Sequence, residues 1–119
     1  MTSKEFDRFL EQFLGRIRET LSRKADEYAR TDRFHNFNRA AMLQRTLRER
    51  ALEGMMTKQI VSIYDLLDDL EKPGPVADLE VWEEKITDTV CYLTLLLGMR
   101  KQTSSISERI CLDDTQRSL

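Results

Sequence analysis

Apolar residues recur along this chain at helical spacing in three long tracts, and nowhere do they alternate as a strand requires. In the first tract Phe6, Phe9, Leu10, Phe13, Leu14, Ile17 and Leu21 repeat every third or fourth position. Thr2 followed by Glu5 forms a capping-box start, so a long helix is predicted to about Ala29. Extending the stripe brings Lys24, Glu27 and Tyr28 onto the apolar face, while Arg23 and Asp26 point away. A Lys and a Glu there are either a helix end leaving the core, with the Lys stem along apolar surface and Glu27 paired to it, or functional groups.

The middle tract runs through Leu52, Met55, Met56, Ile60, Ile63, Leu66, Leu67 and Leu70, with Thr46 and Glu49 offering a second capping box. Gln59 falls near the centre of this stripe and needs hydrogen-bond partners. Lys58, Asp65 and Asp69 share another side and read as a solvated face, and the two Met as core filler. Between the tracts, Thr31–Asn38 breaks the pattern with Asp, Thr and two Asn yet keeps Phe34 and Phe37, which predicts a loop tied down by aromatics. His35, the only histidine, is a poor zinc candidate without a second His or a nearby Cys; a hydrogen-bonded loop residue is its expected role. Arg39–Gln44 reads as a short helix.

The last tract, Trp82–Met99, is apolar on two sides. Trp82, Ile86, Val90, Leu93 and Leu97 form one stripe; Val81, Cys91, Tyr92, Leu95 and Met99 form a second. Such a helix is covered on both sides. Glu84 and Asp88 fall on the second stripe, one turn apart, where two carboxylates repel unless a cation or donors meet them. The Pro-Gly-Pro segment after Leu70 ends the middle helix, and Asp78 is placed to cap the last. From Lys101 the composition turns to Thr, Ser, Asp and Gln. Residues 1–102 are therefore assigned to one helical domain and 103–119 to a polar tail, either a short helix begun by Ser105 and Glu108 or disordered. The fold class predicted is all-α: three long antiparallel helices and one short one.

Charge narrows the function classes. With 19 Lys and Arg against 21 Asp and Glu the formal net charge is -2, which argues against a phosphate-backbone binder of bulk nucleic acid. No apolar run approaches a membrane span. Cys91 in the last helix and Cys111 in the tail, without a signal-like start, point to reduced thiols and a cytoplasmic location. A two-sided last helix in a chain of 119 residues points to a homodimer that buries the second stripe or the Phe face of the first helix.

The polar residues on apolar stripes come from three helices: Lys24 and Glu27, Gln59, and Glu84 and Asp88. Three carboxylates without Cys or His make an all-oxygen set that suits Mg²⁺ or Mn²⁺. Magnesium held by few carboxylates usually grips substrate phosphates as well, so a nucleotide is the expected substrate class. There is no Walker loop and no Cys/His pair for covalent catalysis, which leaves water as the nucleophile.

These same residues carry a resemblance. KADEYARTDRFHNFNRAA, ERALEGMMTKQIVSIYDLL and WEEKITDTVCYLTLLLG resemble small phage-encoded members of the MazG-like, all-α nucleoside triphosphate pyrophosphohydrolase superfamily, over about residues 16 to 99. The resemblance implies a helical, commonly oligomeric protein that binds Mg²⁺ through ExxE and ExxD motifs and releases pyrophosphate from nucleoside triphosphates. Here ExxE reads Lys24-Ala-Asp-Glu27 and ExxD reads Lys85-Ile-Thr-Asp88, with Glu84 one place early; Gln59 stands where a His is expected. On this reading Glu27, Glu84 and Asp88 hold the metal, Glu27 and Lys24 are catalytic, and Lys24, Arg33, Phe34, His35, Asn36, Phe37, Gln59 and Tyr92 contact the nucleotide. The alternative is a non-catalytic helical interaction protein, a phage accessory or anti-defence factor that binds a host protein through the same scaffold.

Overall fold

The computed structural model describes the backbone of residues 1–28 and 32–117, and the side chains of residues 1–26 and 32–107. The chain is all-α, with four helices among the described residues: α1 (Ser3–Tyr28), α2 (His35–Gln44), α3 (Arg48–Leu70) and α4 (Leu79–Arg117). No strand occurs among the described residues, and no helix there is long and apolar enough to cross a membrane.

The start of α1 is the capping box expected from Thr2 and Glu5. The Glu5 N–H donates to Thr2 Oγ1 at 3.2 Å, and the Thr2 N–H donates to a Glu5 carboxylate oxygen at 2.8 Å. The second expected box does not form. The cap of α3 is Leu47, which has no side-chain acceptor, while Glu49 lies beside Arg48 and Arg100 at 3.6 and 3.7 Å. A carboxylate with two guanidinium groups in reach gains more from them than from a single exposed amide. Between the two helices Arg45 adopts a left-handed conformation (φ 54°), and the Thr46 N–H donates to the Ala41 carbonyl at 3.0 Å. That wrap ends α2 without a glycine.

α2 begins at His35, four residues before the expected start at Arg39. Asp32 is the cause. One of its carboxylate oxygens accepts the Phe34 N–H at 2.9 Å, the other accepts from the Asn38 side chain at 3.1 Å, and its carbonyl accepts the His35 N–H at 3.2 Å. The polar residues that suggested a long loop are thus a helix start.

α3 and α4 pair antiparallel through the 71–78 connection. Their core is Leu52, Met56, Phe37 and Met99, flanked by Met55, Ile60, Tyr92, Leu95 and Leu96. α2 packs on α3, and α1 packs on α4; among the described residues α1 does not pack on α3. The Arg16–Glu83 ion pair (2.7 Å) and the stacking of Lys24 on Tyr92 set α1 parallel to α4. The neighbour order is therefore α2, α3, α4, α1, with α4 as the shared element.

Among the described residues of α4 the buried positions are Thr87, Cys91 and Met99, on the side of the second stripe. α1 and α3 both pack on this side. The first stripe is not core: Ile86, Leu93 and Leu97 are 38%, 49% and 71% exposed, while Trp82 and Val90 are half-buried. α4 also continues unbroken past residue 103, so Ser105 does not start a separate helix. By the α1–α4 register, the first turns of α1 extend beyond the start of α4. Phe6, Phe9 and Leu10 there are exposed, and the Phe6, Phe9 and Phe13 rings line up at 5.7 and 6.1 Å between centroids.

Candidate functional site

Where the chain leaves α1 and returns as α2, the open helical row leaves a cleft of about 710 Å³, within the usual size range for small-molecule sites. The end of α1 contributes Lys24 and Ala25; the turn contributes Asp32 and Arg33. From α2 come His35, Asn36, Phe37, Arg39, Ala40 and Leu43; Met55 of α3 and Tyr92 and Leu95 of α4 form the far wall. Among the described residues the lining thus combines apolar and aromatic side chains with three cations and one carboxylate.

Each cation is placed by its element. The Lys24 Nζ lies 5.5 Å from the Tyr92 ring centroid, where the ring face favours an ammonium without neutralising it. Arg33 donates from Nη2 to the Leu21 carbonyl at 2.6 Å, which fixes the guanidinium at the end of α1 and leaves further N–H donors. Arg39 sits one turn after His35 on α2, at an exposed position. The carboxylate of Asp32 is already engaged at both oxygens by the turn.

Behind the cleft, Phe34 is held as a wedge. Arg48 stacks over its ring at 5.2 Å and donates to the Met99 carbonyl at 3.0 Å, to Gln102 at 2.8 Å and to Thr103 at 3.3 Å. A Cβ on Gly98 would lie 3.3 Å from Phe34 Cζ, so glycine there gives the ring its room. The turn that carries Arg33 is therefore anchored to α3 and α4 at once.

Of the sequence-predicted site residues, Lys24, Arg33, His35, Asn36, Phe37 and Tyr92 line the cleft. Phe34 supports it from behind. Gln59 is half-buried and Thr87 on α4 is buried, and among the described residues neither Gln59 Oε1 nor Thr87 Oγ1 has a hydrogen-bond partner. Glu84 is exposed and Asp88 half-buried, and neither lines the cleft. The Glu27 side chain lies outside the described residues. Arg39 was not singled out from the sequence; starting α2 at His35 would have placed Asn36, Arg39, Ala40 and Leu43 on one helical face.

Among the described residues, no three Asp, Glu, His or Cys side chains are placed to share a metal ion. With Asp32 engaged and the other described charges of the cleft cationic, the described cleft side chains offer magnesium no free carboxylate. Nor do they offer a thiolate. Burial pushes the Cys91 thiol upward in pKa, with Asp88 adding to the shift, while the charges of Lys24 and Arg33 oppose it. Compared with known protein families, curated proteins and solved structures, the chain finds no match.

Proposed function

We propose that the protein binds a nucleotide in this cleft, with the phosphates toward Lys24, Arg33 and Arg39 and the base against the aromatic and apolar wall. The observation that carries the reading is the pairing of three cations with that wall in one cleft, on a chain whose overall charge is negative. A nucleotide has the same two-part character: a polyanionic end and a flat, weakly polar end. Nucleoside triphosphate pyrophosphohydrolysis is the enzymatic form of this reading, with Lys24 neutralising the phosphates and Glu27 as the candidate catalytic carboxylate. The cytoplasmic setting proposed with it accords with the buried, free Cys91.

A thermal-denaturation screen over the common ribo- and deoxyribonucleoside triphosphates tests the binding reading. A ligand at a hundredfold excess over its Kd stabilises the folded state by about 2.7 kcal/mol, so at least one nucleotide raises Tm. A pyrophosphate-release assay on the same panel reads hydrolysis. A panel in which no nucleotide moves the melt contradicts the proposal.

We infer further that the working form is a homodimer. The chain exposes 9648 Å², where a compact monomer of this mass exposes about 6,700 Å². Its radius of gyration is 19.1 Å, against about 13.5 Å for a compact chain of this length. The surplus surface includes the open stripe of α4 and the Phe-lined start of α1, and a second copy supplies the matching apolar faces. An obligate-dimer interface of about 2,000–5,000 Å² in total, about 1,000–2,500 Å² from each chain, would cover a large part of this surplus.

A further inference from the structure

The cleft carries charge of the opposite sign to a magnesium site, and this selects the ionic form of ligand that suits it. Resting on the nucleotide reading above, we propose that Lys24, Arg33 and Arg39 hold the phosphate chain directly, with no divalent metal bridging ligand and protein. Lys24 stands where the resemblance expects the first acid of ExxE, and its ammonium lies over the Tyr92 ring in the cleft. Arg33 is anchored through one nitrogen to the Leu21 carbonyl, which orients the guanidinium while leaving donors in the fork geometry that phosphate accepts. Arg39 adds a third cation from α2. Asp32, the one carboxylate among the described residues of the lining, accepts from Phe34 and Asn38, so it is committed to the turn. A nucleoside triphosphate without metal is more negative than its magnesium complex. Cations that meet it directly attract the uncomplexed form more strongly.

The test is isothermal titration of the full chain with ATP, the other common nucleoside triphosphates and inorganic tripolyphosphate, each in EDTA and in excess Mg²⁺. Binding is expected in EDTA, tripolyphosphate included, and excess Mg²⁺ is expected to weaken it. Lys24→Gln is expected to lower nucleotide affinity in EDTA by about tenfold, the loss of one charge-assisted contact. Arg39→Gln, at an exposed position, gives a second charge-removal readout should Lys24→Gln fail to fold. Lys58→Gln, on the solvated side of α3, leaves affinity unchanged. Nucleotide binding that appears only with Mg²⁺ overturns this inference and leaves the nucleotide reading standing. Absence of binding by every nucleotide in both buffers overturns the reading itself.

Discussion

Leu52 has no exposed surface and Lys58, less than two turns along the same helix, is open to solvent; that contrast sets what each residue contributes. Leu52→Ala removes buried methyl groups from the α3–α4 core and should cost about 2–5 kcal/mol. Lys58→Ala should cost under about 0.5 kcal/mol. Urea melts that give equal losses would show the helical phase to be wrong. Single residues were legible in the sequence when their role depended on type and spacing. Lys24 was singled out because a cation on an apolar stripe is out of place, and it lines the cleft. Asp88 and Glu84 were singled out by the same logic, but a stripe defines a side of a helix and not the residue that covers it. Glu84 is exposed near the start of α4, where α1 meets Glu83 through Arg16.

At the scale of elements, the four helices and their apolar periods were visible because helical spacing repeats over many residues. Their starts were less so. Asn, Asp and Thr favour both loops and helix starts, so the stretch before Arg39 read as loop, whereas Asp32 turns it into α2. This error hid Arg39, whose place in the cleft depends on α2 starting early. The expected Thr46 cap failed for a related reason: Glu49 has guanidinium partners from α3 and α4, one of them remote in sequence. The two apolar sides of α4 were legible, but not which of them the chain itself covers. Both neighbours pack on the Cys91–Met99 side and leave Leu93 and Leu97 open.

The whole molecule is 69 Å long and 28 Å in its shortest dimension, a row of helices more than a closed bundle. The proposed dimer closes it. Sedimentation equilibrium at micromolar concentration should give about twice the chain mass of 14.0 kDa. Leu97→Glu sets a charge on the open stripe of α4 and should shift that equilibrium toward monomer. A compact monomer for the unaltered chain would contradict the assignment, because its surface would then have to be smaller than the structure shows. The cleft lies where α1 hands the chain to α2, so helices distant in sequence supply its two walls. Nuclear magnetic resonance titration of isotope-labelled protein with a nucleoside triphosphate reads out where a nucleotide sits. A nucleotide in the cleft gives amide shifts concentrated at Lys24 and Ala25, Asp32 to Leu43, Met55, Tyr92 and Leu95. Shifts centred instead on the Phe6–Leu14 stretch or the Leu93–Leu97 stripe, or no shifts at millimolar nucleotide, would contradict the proposed site.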